Sequence, residues 1–187
     1  MIYFEFDQCV NNTHVLDISE DNPDFIPREV LHNMPEGQPN LYIRKNMLTK
    51  FFWGDIDKLT LLRILDLSGN RLTRVPMVLS NCTKSLQKLI LTGNQIENLS
   101  PDFLKDAFSL KYLDLSFNKL KYMEHSSLPD NIVNNTGMLL LHNNIFTCTC
   151  NTTWFIKWFH RRDLRHLRSV LVTERNKQYS VMFREKL

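Results

Sequence analysis

An eleven-residue pattern recurs three times without gaps in this 187-residue chain. Leu62-Arg-Ile-Leu-Asp-Leu-Ser-Gly-Asn70-Arg-Leu72, Leu86-Gln-Lys-Leu-Ile-Leu-Thr-Gly-Asn94-Gln-Ile96 and Leu110-Lys-Tyr-Leu-Asp-Leu-Ser-Phe-Asn118-Lys-Leu120 share one template. The template is L-x-x-L-x-L-x-x-N-x-L, with isoleucine once in the last slot. Leu139, Leu141, Asn144 and Phe146 continue it downstream. Leu41, Ile43, Asn46 and Leu48 continue it upstream, and Leu16, Ile18 and Asp21 form a degenerate first copy. Counting Asp21 in the asparagine slot, the steps are 25, 24, 24, 24 and 26 residues.

A self-similar period in this range is the mark of a solenoid. L-x-L is a period-two strand that points both leucines to one face. One repeat cannot cover its own leucines, but neighbours stacked on both sides can. Asn46, Asn70, Asn94, Asn118 and Asn144 stand where the chain turns away from each strand. Their amides can satisfy backbone groups that stacked turns would otherwise bury unpaired, so they form a structural asparagine ladder. Return segments such as Leu99-Ser-Pro-Asp-Phe103-Leu104 and Ala107-Phe108 are expected to supply the opposite apolar wall. A series of amphipathic helices would not hold asparagine at a fixed step. The pattern therefore predicts an α/β solenoid of leucine-rich repeats. It has about six turns across residues 1–146, with parallel strands on the concave face and loops or short helical turns on the convex face.

A solenoid needs capped ends. After the last repeat comes Cys148-Thr-Cys150, then Trp154-Phe-Ile-Lys-Trp158-Phe159. This resembles the C-terminal cap of extracellular leucine-rich repeats, where a C-x-C pair forms disulfides with two later cysteines. That resemblance implies Cys148 and Cys150 as disulfide-type cap cysteines. No cysteine follows Cys150, so residues 147–160 are read as a partial, truncated C-terminal cap. Upstream, Cys9 alone does not make a cysteine-rich cap. Leucines uncovered at both ends predict aggregation of the isolated chain.

Residues 160–187 differ in character: their formal charge is +5, against −2 for the rest. Residues 161–187 are therefore treated as a separate basic tail. Leu164, Leu167 and Leu171 fall at helical spacing, which is compatible with a short amphipathic helix, while a solvated, poorly packed extension is the simpler reading. Arg165, Arg168 and Arg175 could contact phosphates, but a solvated extension explains them more simply. The start of the chain has no basic n-region of the kind a signal peptide carries. No apolar run approaches the ~18 residues that would span a bilayer.

Enzymatic signatures are missing: no phosphate-binding loop, nucleophile elbow or zinc-protease motif occurs. His142, Cys148, Cys150 and His160 could be read as a zinc set, but C-x-C is an uncommon structural-zinc spacing and the cap explains it better. Cys82 reads as a small buried residue or free thiol, and His14, His32, His125 and His166 as surface residues. No enzyme, metal or cofactor is expected. Five N-x-S/T sequons, at Asn11, Asn81, Asn98, Asn134 and Asn151, are glycosylation candidates and favour the secretory pathway. Pro101 after the Asn98 sequon lowers its expected use.

Longer stretches carry a family resemblance. Leu65-Asp-Leu-Ser-Gly-Asn-Arg-Leu-Thr-Arg-Val-Pro76, Leu79-Ser-Asn-Cys-Thr-Lys-Ser-Leu86, Phe103-Leu-Lys-Asp-Ala-Phe-Ser-Leu-Lys-Tyr-Leu-Asp-Leu-Ser116 and Met138-Leu-Leu-Leu-His142 with Cys148-Thr-Cys150 resemble Toll-like receptors. The resemblance is strongest to the endosomal nucleic-acid-sensing branch, the seven, eight and nine group, with seven and eight nearest. It covers residues 13–159 and implies the C-terminal part of a leucine-rich-repeat ectodomain. Leu164-Arg-His-Leu-Arg-Ser-Val-Leu-Val-Thr-Glu174 and Tyr179 are similar to the end of a cytoplasmic TIR signalling domain. On that reading the rest of the cap, a membrane helix and most of the TIR domain would be missing near residues 160–163.

The resemblance implies a fragment of a pattern-recognition receptor of innate immunity. Its parent would sit in the endosomal membrane with this region in the lumen. It would bind single-stranded RNA or nucleosides, dimerise with another receptor ectodomain and signal through its TIR domain. The family's ligand sites lie mostly on earlier repeats, so no ligand-binding residue is carried over, while residues 110–159 become a candidate dimer surface. The alternative is a generic extracellular leucine-rich-repeat adhesion or protein-binding module.

Overall fold

The computed structural model describes residues 16–19, 24–79, 84–121, 123, 125–127, 138–146, 170–174 and 177–181. Six short strands make one parallel sheet in strict sequence order. They are β1 (Leu16–Asp17), β2 (Asn40–Tyr42), β3 (Ile64–Asp66), β4 (Lys88–Ile90), β5 (Tyr112–Asp114) and β6 (Met138–Leu140). This is the leucine-rich-repeat solenoid that the period predicts. The register places equivalent template positions side by side, as with Leu41, Leu65, Leu89, Leu113 and Leu139. Those five leucines and the second set (Ile43, Leu67, Leu91, Leu115, Leu141) are at most 1% exposed. A parallel ladder cannot close through a tight hairpin, so each turn must return along the opposite side of the core.

The return segments are mostly irregular. One contains helix α1 (Arg28–His32), which follows Pro27 and buries Val30 and Leu31. The next contains a 3-10 turn, Trp53–Ile56. Leu99, Phe103, Leu104 and Ala107 face the core as expected, with Phe103 and Leu104 fully buried. Phe108 does not: it is 59% exposed. Ala107 has already taken the inward position, and the chain turns back at once through the Leu110 N–H to Ala107 carbonyl bond of 3.2 Å. Phe51, Trp53 and Phe103 meet edge-to-face, with centroids 5.0 and 6.2 Å apart. This aromatic group ties the 3-10 turn to a return segment two repeats away.

The ladder asparagines are 3–6% exposed and aim at backbone groups. Asn94 Nδ2 donates to the Leu67 carbonyl of the preceding turn at 2.9 Å and to Leu91 of its own turn at 3.0 Å. Its Oδ1 accepts the Leu72 N–H at 3.0 Å. Asn70 repeats this with Ile43, Leu67 and the Leu48 N–H. Asn118 repeats it with Leu91, Leu115 and the Ile96 N–H. Asn144 uses Leu115, Leu141 and the Leu120 N–H. Asn46 donates to the Ile18 carbonyl at 2.7 Å. An amide supplies two donors and an acceptor in one plane, which a carboxylate or hydroxyl cannot do.

A second, separate sheet pairs β7 (Val170–Glu174) with β8 (Lys177–Val181) antiparallel, Val170 opposite Val181 and Glu174 opposite Lys177. This corrects both the amphipathic helix that the spacing of Leu171 allowed and the simpler reading of a poorly packed extension. Val170-Leu-Val-Thr173 is rich in β-branched residues, which favour strands over helices. Leu164 and Leu167 lie outside the described residues, as does Asp21.

Candidate interaction surface

The leucines of each strand face the core, so the alternating residues face outward on the strand side. Register stacks them in rows across the repeats. One row is Asn40, Ile64, Lys88, Tyr112 and Met138. The next is Tyr42, Asp66, Ile90, Asp114 and Leu140. A third follows the strand ends, with Arg44, Ser68, Thr92, Ser116 and His142.

Contacts within the rows are specific. Arg44 lies 5.3 Å above the Tyr42 ring and reaches Asp17 at 3.2 Å. Lys88 Nζ sits 4.5 Å over the Tyr112 ring, within range of a favourable cation–π contact. Asp66 accepts the Ser68 N–H at 2.9 Å, and Asp114 accepts the Ser116 N–H at 2.9 Å. Ser116 Oγ also donates to Asp114 at 2.5 Å and meets Thr92 Oγ1 at 2.7 Å. Both carboxylates are nearly buried. Burial and the nearby Asp114 charge raise the Tyr112 pKa above its ordinary value. These groups serve one another as partners. They form a patterned polar surface, not a nucleophile aligned with a base.

The residue after the third row has positive φ in every turn from β2 on: Lys45, Gly69, Gly93, Phe117 and Asn143. Glycine fills it twice, and a Cβ at Gly69 would lie 3.3 Å from the Lys45 backbone. At Phe117 the same turn lifts a phenyl ring out of the surface. Phe117 is 54% exposed and packs edge-to-face on His142 at 5.2 Å. Ile145, three residues further along, is 48% exposed. The C-terminal end of the strand side thus presents an apolar edge within the stretch 110–159.

On the return side, Arg28 forms a forked ion pair with the buried Asp55, its Nη2 at 2.7 Å, and lies 5.4 Å over Phe52. The Asp55 hydrogen bond and charge raise the Arg28 pKa. Lys121 pairs with Glu97 at 2.7 Å and holds the Glu97 carboxyl below its ordinary range. Asn98 is exposed beside Glu97. His32 is exposed, and its backbone carbonyl accepts a bond from Lys58 Nζ.

Asn11, Asn81, Asn134, Asn151, Cys148 and Cys150 lie outside the described residues. So do Cys9, Cys82, His14, His160, His166 and the tail arginines Arg165, Arg168 and Arg175. Among the described residues there is no cluster of metal-ligating side chains. No helix among them is long and apolar enough to cross a membrane. Sequence reading missed the hydroxyl row and the positive-φ row. The aligned triplets Ser68-Gly69-Asn70, Thr92-Gly93-Asn94 and Ser116-Phe117-Asn118 carried the signal.

Two family models match the chain, leucine rich repeat over residues 84–131 and leucine rich repeats (2 copies) over residues 60–106. Toll-like receptor 7 of Mus musculus is 46% identical over 162 residues, 87% of this chain. Toll-like receptor 9 of Mus musculus is 33% identical over 82% of the chain. Toll-like receptor 8 of Homo sapiens is 38% identical over 83% of it. In each case the match spans only 15% of the relative's own length.

Proposed function

Because this chain belongs to the Toll-like receptor family, as a segment of its leucine-rich repeats, we propose that it forms the C-terminal repeats of a nucleic-acid-sensing ectodomain. The parent receptor binds single-stranded RNA or nucleosides on other repeats. It works in the endosomal membrane with this segment in the lumen, and signals through a TIR domain. The segment's own part is mechanical. It holds the binding repeats at a fixed distance from the membrane and offers a face for a second ectodomain.

The carrying observation is 46% identity over 87% of the chain, on a solenoid whose turns keep register throughout. Exposed Phe117 and Ile145, with His142 between them in sequence, suit a protein contact better than a solvated face. Cys148 and Cys150 are the half-cap that would seal the last turn, and residues 161–187 are read as the end of a signalling domain. Sequencing the transcript across residues 160–163 tests that last point.

A chimera tests the whole. Residues 24–146 replace the matched segment of mouse Toll-like receptor 7, and a reporter measures the response to RNA and nucleosides. The chimera is expected to reach endosomes and respond, and Phe117→Glu within it is expected to abolish the response without altering delivery. A correctly delivered chimera that stays silent overturns the reading.

A further inference from the structure

Two shallow grooves run together on the return side. One is lined by Thr49, Lys50, Phe52, Trp53, Arg74 and Val75 among others, and has a volume near 460 Å³. The other, near 400 Å³, is lined by Thr73, Arg74, Val75, Glu97 and Asn98. They share Thr73, Arg74 and Val75, so they form one trough crossing three repeats. At one end stand aromatic side chains, Phe52 being 49% exposed even with Arg28 above its ring. At the other stands the exposed sequon asparagine, Asn98.

We infer that Asn98 carries an N-linked glycan whose first sugars lie along this trough toward Phe52 and Trp53. The inference rests on the lumenal placement proposed above. The chemistry fits an N-acetylhexosamine. Its C–H face and acetyl methyl are apolar and suit Val75, Pro76 and the aromatic rings, which combine an apolar body with a specific geometry. Its hydroxyls and amide suit Thr73, Arg74 and Glu97. Glu97 is held ionised by Lys121 at 2.7 Å, which keeps it an acceptor for sugar hydroxyls. Reach is adequate as well: Asn98 and Trp53 lie two turns apart, about 10 Å at the ~4.8 Å strand spacing. Ladder asparagines could not carry such a chain, since they are buried and fully engaged.

The test uses the full chain behind a secretion leader in eukaryotic cells, with glycopeptide mass spectrometry at every sequon. Asn98 is expected to be occupied in a measurable fraction of chains, lowered by Pro101 after its sequon. Under native conditions a peptide N-glycosidase is expected to release its glycan several-fold more slowly than those at the other sequons. Phe52→Ala or Arg74→Ala, both surface changes, is expected to remove that protection while occupancy stays the same. Occupied sequons elsewhere with a bare Asn98 overturn the inference and leave the lumenal reading standing. Five bare sequons overturn both. An occupied Asn98 released as fast as the others, and indifferent to both variants, overturns the docking.

Discussion

Strands β2–β6 and the β7–β8 hairpin solve the same problem of backbone pairing in opposite ways. In the solenoid every strand pairs with residues 24 to 26 positions away, as Leu16 with Leu41, Leu89 with Leu113 and Leu113 with Leu139. In the hairpin the partners lie 3–11 positions apart, from Glu174 and Lys177 to Val170 and Val181. The hairpin is local and needs no neighbour to set its register. Two strands alone are only marginally stable in water. A solenoid turn gains its stability from the turns beside it. The asparagines make that dependence directional, since Asn70, Asn94, Asn118 and Asn144 each close bonds on the preceding turn.

Damage to the solenoid should therefore spread along it, and damage to the hairpin should not. Leu113→Ala removes a fully buried side chain from a strand paired on both sides, by β4 and β6. It is expected to cost about 2–5 kcal/mol, read from urea denaturation. Asn94→Ala leaves the buried Leu72 N–H without its side-chain acceptor and removes one of the two amide donors on the Leu67 carbonyl, which keeps Asn70. Roughly 1–3 kcal/mol is expected, because one buried donor of the preceding turn loses its partner. Gly69→Ala and Gly93→Ala both meet the ~1–2 kcal/mol left-handed penalty. Gly69→Ala is expected to be the worse, since its Cβ meets backbone at 3.3 Å where Gly93 has 3.5 Å. Equal melting temperatures for the two would show that only φ matters.

Tyr112 gives a pH-dependent contrast. Its pKa is raised by burial and by Asp114, so the folded state holds its proton longer than the unfolded chain does. Its contribution is complete below the unfolded value near 10 and is lost as pH rises through the folded one. Asp114→Asn is expected to move the late phenolate absorbance change at 295 nm to lower pH. Smallest of all, removing residues 161–187 is expected to leave the solenoid's melting temperature unchanged. A large drop would mean that the two sheets are coupled.

The regular part of this molecule was legible because its signal is long-range and repeated. Leu65, Leu89 and Leu113 occupy one slot at a fixed step, and nothing local competes with that reading. Phe108 and Leu171 were misread because their assignment rested on a few neighbouring residues. Ala107 could fill the inward position that Phe108 was expected to share. Leucines at helical spacing could equally sit in a strand once Val170 and Val172 flanked Leu171. The asparagine contacts followed from amide chemistry at a turn. The trough between Phe52 and Asn98 did not, because it joins residues of different repeats whose proximity only the register reveals.

Hydrogen exchange on Asn94→Ala tests the ladder most directly. Lost protection is expected at the Leu72 amide, a full turn before the substitution, together with the strand amides that surround Leu67. Lost protection confined to residues 88–96, with Leu72 unchanged, would contradict it.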